Sequence, residues 1–121
     1  MPHLIVEYSN NLSETVMKVD TLLQTLAETV VATGLFPEKG LRLRAYRADY
    51  QRVAEGNPNH GFVHVGMNVG KGRSEEDRQS AGQVIFDALK IHMAEAMASQ
   101  KILLSFEMRE IDPVKFNHRN F

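Results

Sequence analysis

One pattern occurs twice along this chain, and the repetition restricts it to few folds. A short β-rich run, an amphipathic helix and a second alternating run appear in that order, then appear again. Leu4 to Tyr8 is the first run, and Asn10, Asn11 and Ser13 follow as a loop with helix-capping candidates. From Ser13 to Thr33, Val16, Val19, Leu22, Leu23, Leu26, Val30 and Val31 recur at intervals of mostly three and four, which makes one face of a helix. Gly34 stands where a left-handed residue ends a helix, and Pro37 follows. Leu41 to Tyr50 alternates, with Leu41, Leu43 and Ala45 on one side and Arg42, Arg44 and Tyr46 on the other, so it is predicted as a strand.

After a polar, turn-rich connection through Gly56, Asn57, Pro58 and Asn59, the pattern restarts. Phe62 to Val69 alternates through Val63, Val65, Met67 and Val69. Gly70-Lys71-Gly72-Arg73 is a loop, and Ser74 opens a helix with Glu75, Glu76 and Asp77 in its first turn, where acids suit the dipole. Its apolar stripe is predicted as Ala81, Val84, Ile85, Ala88, Leu89 and Ile91. Ile102 to Met108 is the last strand, and an irregular tail begins at Asp112 and Pro113. The expected fold is α+β: duplicated β-α-β units in a single domain, residues 1–121, with halves at about 2–50 and 61–111. Two helices cover one face of a four-stranded sheet. The other face mixes Ile5, Phe62, Tyr46 and Leu103 with Arg42, Arg44, His64 and Ser105, and burial against another subunit is the natural expectation.

Composition excludes several classes of function. A net charge of -1 argues against nucleic acid as the main partner, because phosphate binding favours a basic surface. No cysteine is present, so there is no disulfide, thiolate nucleophile or Cys-based metal site, which suits a reducing cytoplasm. No apolar run approaches the ~20 residues that span a bilayer, and the start lacks a signal-peptide pattern. No membrane partner is expected.

The second residue carries the sharpest chemical possibility. With Met1 removed, Pro2 becomes a secondary amine able to act as a base near neutral pH; with Met1 kept, its nitrogen is a tertiary amide with no proton to gain. Many chains begin Met-Pro with no chemistry attached. The Gly70–Ser74 segment between strand and helix suits either anion binding or a plain flexible turn. It is neither a dinucleotide fingerprint nor a P-loop. Arg42 and Arg44 form either a carboxylate clamp or a charged strand edge. His3, His60, His64, His92 and His118 lack metal-ligand spacing, and each is expected to be satisfied or solvent-facing. Ser74 reads as a cap rather than a nucleophile, and Met93 and Met97 as core or subunit contacts.

Taken in order, Pro2-His3-Leu4-Ile5-Val6-Glu7, Ala32-Thr33-Gly34-Leu35-Phe36-Pro37, Gly40-Leu41-Arg42-Leu43-Arg44, Phe62-Val63-His64, Gly70-Lys71-Gly72-Arg73-Ser74 and Leu104-Ser105-Phe106-Glu107 resemble the tautomerase superfamily. Within it they resemble the 5-carboxymethyl-2-hydroxymuconate isomerase family, over nearly the whole chain. The resemblance implies a homotrimer with no metal or organic cofactor, and a cytoplasmic enzyme of aromatic-compound breakdown acting on a dienol dicarboxylate or tricarboxylate. It implies Pro2 as general base, Arg42 as a catalytic partner, and Arg73 and Arg44 as substrate-binding residues, the role of Arg44 being the less defined. The tail from Lys115 to Phe121 and parts of the first helix depart from the family pattern. Two other readings fit the same element order. One is a ferredoxin-like ligand-binding module, distinguished by strand order 4-1-3-2 instead of 2-1-3-4. The other is the same fold acting on a different enol or unsaturated acid.

Overall fold

A computed structural model describes residues 1–111 and 113–121; the predicted start of the tail at Asp112 lies outside the described residues. The elements are β1 (His3–Tyr8), α1 (Glu14–Met17), α2 (Val19–Ala32), a 3₁₀ turn (Glu38–Gly40), β2 (Arg42–Arg47), β3 (His60–Val69), α3 (Glu75–Ser99) and β4 (Lys101–Glu110). The sheet order is β2-β1-β3-β4. Strands β1 and β2 are parallel, β3 and β4 are parallel, and the two pairs join antiparallel through β1 and β3. Two β-α-β units thus meet along a central seam. This order excludes the ferredoxin-like alternative.

Alternation places the core. Leu4, Val6 and Tyr8 of β1 and Val63, Val65, Met67 and Val69 of β3 turn to the helices and are buried. Leu22, Leu26 and Val30 of α2 and Ala81, Ile85, Leu89 and Met93 of α3 meet them from above. Each large aliphatic side chain removed from water in this way contributes about 1.5–3 kcal/mol, so this layer carries most of the stability. The predicted stripe on α3 needs correction. Val84 and Ile91 are exposed, and Met93 takes a core position, because burial repeats in steps of four along one face. Met97 is largely exposed.

The single helix predicted from Ser13 to Thr33 is two helices. Lys18 adopts a left-handed conformation with φ 45°, ending α1 and starting α2. The break frees the Met17 carbonyl, and His92 of α3 donates to it through Nε2 at 2.7 Å. Met17 is thereby fully buried without an orphaned acceptor. Gly34 ends the α2 region at φ 72°, as its position predicts. Strand β2 is shorter than the predicted Leu41 to Tyr50, whereas β4 runs past Met108 to Glu110.

The second sheet face has no helix over it. His3, Ile5, Arg42, Arg44, Tyr46, Phe62, His64, Leu103, Ser105 and Glu107 share it by register. Tyr46 and Leu103 are more than half exposed there, at 57% and 65%. Among the described residues, no helix is long and apolar enough to cross a membrane.

Candidate active site

The start of the chain is held at one end of the sheet, between β2 and the Gly70–Ser74 loop. Pro2 is buried, and its carbonyl accepts from the Arg42 backbone N–H at 3.1 Å. Gly40 makes room for this. A Cβ there would lie 2.8 Å from the Met1 nitrogen, so only glycine lets the first residue approach. The backbone ladder therefore brings Pro2 and Arg42 together.

Arg42 and Arg44 are not simply a charged edge. Strand β2 is an edge strand, but both guanidinium groups turn over the sheet toward His3 on β1. Arg42 Nη1 lies 3.0 Å from His3 Nε2, and Arg44 Nη1 lies 3.1 Å from His3 Nδ1. A neutral imidazole has one acceptor nitrogen and one N–H, and a guanidinium only donates. Only one of these two contacts is a hydrogen bond at any moment, and the other sets donor against donor. Protonating His3 would remove its last acceptor. Burial, then the charges of Arg42 and Arg44, hold the His3 pKa below the ordinary histidine value. His3 therefore departs from the satisfied or solvent-facing role expected of it. The cluster has a surplus of donors that an anion would absorb.

Arg73 is positioned differently. Its Nε donates to the Leu35 carbonyl at 2.9 Å and its Nη1 to the Gly70 carbonyl at 3.2 Å, and its guanidinium lies 4.4 Å from the centre of the Phe36 ring. These backbone anchors fix the group and leave three of its five N–H donors for a ligand. Gly72 supplies the φ of 122° that the loop requires. The adjoining helix start is not an anion seat. Ser74 accepts from the Asp77 N–H, and Glu75, Glu76 and Asp77 fill the first turn.

The tail also reaches this end of the sheet. The Lys115 ammonium lies against Gly70, and Arg42 Nη2 donates to Asn117 Oδ1 at 3.5 Å. An amine at the start of the chain feels the combined field. Desolvation, then Arg42, Lys115, Arg119 and Arg73, lower the Met1 amine below its ordinary pKa. Among the described residues, none of these five cations forms an ion pair with a carboxylate. His3, Phe36, Lys115, Asn117 and Arg119 went unpredicted as site residues. The one available signal for the tail was the alternation of polar 115, 117 and 119 with apolar Val114 and Phe116.

Three of the remaining histidines have partners, His92 as above, and His118 is solvent-facing. His60 pairs with Glu55 at 3.1 Å, and His64 lies between Ser105 Oγ at 2.6 Å and Glu107 at 3.4 Å. No group of three or more His, Asp or Glu among the described residues is arranged to hold a metal. An open groove of about 520 Å³ lies elsewhere, between α3 and β4 past Arg78 and Phe106. Within one chain the cationic cluster is an open surface, with no far wall.

Comparison with known proteins finds relatives along the whole chain. Residues 2–121 match the sequence profile of the family described as 5-carboxymethyl-2-hydroxymuconate isomerase. A curated relative from Escherichia coli, 5-carboxymethyl-2-hydroxymuconate Delta-isomerase, is 39% identical over 121 residues, covering 99% of this chain and 95% of its own. The crystal structure of a 5-carboxymethyl-2-hydroxymuconate isomerase from Deinococcus radiodurans R1 superposes with TM-score 0.90 at 35% identity, covering 99% of this chain and 90% of that one. A fused 4-OT symmetric trimer superposes with TM-score 0.67 at 18% identity over 98% of this chain and 92% of its own, a likeness of fold alone.

Proposed function

The chain belongs to the 5-carboxymethyl-2-hydroxymuconate isomerase family, and from that membership we propose a cofactor-independent isomerase acting on a dienol tricarboxylate of the 5-carboxymethyl-2-hydroxymuconate type, with Pro2 as its base. One observation carries the reading: a buried Pro2 stands beside cationic side chains that have no carboxylate partner among the described residues, in a chain of net charge -1. Such a concentration of unpaired positive charge is costly unless a polyanion joins it.

The base works only after Met1 is removed, when Pro2 carries a secondary amine. The surroundings that lower the Met1 amine would act on a Pro2 amine in the same sense, favouring the neutral form that a general base requires. Pro2 takes the proton of the 2-hydroxyl or an adjacent dienol position and returns it to a carbon of the conjugated chain, leaving the 2-oxo isomer. Negative charge grows on the 2-oxygen and its carboxylate during that transfer. Arg42, adjacent to Pro2, stabilises it, and Arg73 with Arg44 holds the remaining carboxylate charge.

The working unit is a homotrimer, in which the uncovered sheet face packs against neighbouring copies and these wall the open cluster. Half-exposed Tyr46 and Leu103 on that face support it. Sedimentation velocity at micromolar concentration is expected to give a trimer mass, and a pure monomer would remove this part of the proposal. The function itself is tested by the intact mass of the native protein together with turnover of 5-carboxymethyl-2-hydroxymuconate. Retained Met1 alongside full activity would eliminate Pro2 as the base.

A further inference from the structure

The C-terminal tail lies against the cationic end of the sheet. Its residues alternate. Lys115 reaches the Gly70 loop and Asn117 reaches Arg42, while Phe116 between them is 94% exposed. Residues 115–117 thus bridge the two arginines at the site: the Gly70 carbonyl anchors Arg73, and Arg42 donates to Asn117. Lys115 forms no ion pair among the described residues. A Cβ at Gly70 would stand 3.0 Å from the Lys115 ammonium, which places the ammonium directly over this loop.

From this placement we propose that Lys115 is a substrate-binding residue that receives a third carboxylate, making the tail the element that selects tricarboxylates over dicarboxylates. The proposal rests on the isomerase reading for the identity of its substrate. The site offers the His3–Arg42–Arg44 group, Arg73 on its backbone anchors, and on the tail Lys115, which acts more strongly than the tail's Arg119 on the start of the chain. A dienol dicarboxylate engages two of them, and a carboxymethyl arm supplies the anion for the third. A lysine ammonium on a flexible stem suits this role, since a side arm needs charge more than the planar fork an arginine gives. Asn117 acts differently, accepting from Arg42 Nη2 and orienting that guanidinium from the tail side.

Binding and turnover separate this proposal from the isomerase reading. Calorimetry on the full-length protein with propane-1,2,3-tricarboxylate and with glutarate reads the third centre without any reaction. Wild type is expected to prefer the tricarboxylate. Lys115→Met should weaken the tricarboxylate about tenfold or more, leave glutarate within about twofold, and be largely rescued by Lys115→Arg. Equal weakening of both ligands, or of neither, overturns the role of Lys115 whatever the protein catalyses. In parallel, Lys115→Met should raise KM for 5-carboxymethyl-2-hydroxymuconate but not for 2-hydroxymuconate. Wild type that binds the tricarboxylate through Lys115 but turns over neither dienol would sink the isomerase reading and leave the binding site standing.

Discussion

The two halves of the sheet carry polar clusters on the same uncovered face, and the clusters are built oppositely. In the second half, every group has a complement. The Ser105 hydroxyl meets His64 Nδ1, His64 Nε2 faces Glu107, and Arg109 donates to Glu107 at 3.1 Å. In the first half, His3 is caught between two guanidinium groups, with no carboxylate paired to either arginine among the described residues. One duplicated scaffold thus holds a closed network at one end and an open donor array at the other. Closed networks order a surface. Open donor arrays wait for a ligand, because unpaired charge held together is unstable without one.

The sharpest way to break the contrast is at the amine itself. In the processed chain, Pro2→Ala exchanges the secondary amine for a primary one, and dienol isomerisation should fall by about 10²–10⁴-fold. Next come the arginines. Arg42→Ala or Arg73→Ala should lower kcat/KM by about 10²–10³-fold, measured on the same dienol. Both variants staying fully active while Arg44→Ala failed would reassign the site.

The pH profile sharpens the comparison further. Desolvation and neighbouring cations favour the neutral amine, so kcat/KM should rise with pH through an inflection lower than that of the same amine free in water. Arg42→Ala removes one of the causes of the lowered pKa, and the inflection should then move upward. A flat profile from about pH 5 to 8 would contradict a titrating base. The smallest effect belongs to the closed cluster. Glu107→Gln should leave kcat/KM within about twofold and cost at most about 1 kcal/mol of stability, as exposed ion pairs do. A large activity loss there would erase the distinction between the two ends.

Much of this was legible in the residues because local periodicity reports which side of an element is buried. The alternation of Val63, Val65, Met67 and Val69 and the spacing of Leu22, Leu26 and Val30 lead to the observed core. Periodicity failed where tertiary contacts overrode it. The break at Lys18 interrupts no apolar stripe, since Met17 is buried on one side of it and Leu22 on the other. Val84 fits a stripe by spacing and is nevertheless 48% exposed. The site was legible in part. Pro2, Arg42 and Arg73 stood out through their motifs, whereas His3 looked like any terminal histidine until register placed it between Arg42 and Arg44.

The sequence by itself determined the duplicated β-α-β layout, the apolar layer under the helices, and a proline behind the first methionine with arginines able to meet carboxylates. These follow from residue type and spacing, which act over a few residues. Tertiary structure alone decided that Arg42 crosses to Pro2 and His3, that Arg73 is pinned on the Leu35 and Gly70 carbonyls, and that Lys115 returns to the same end. Apart from the Arg73–Gly70 bond, those contacts join residues tens of positions apart. Strand register and loop closure set them, and neither can be read from any local window of the chain.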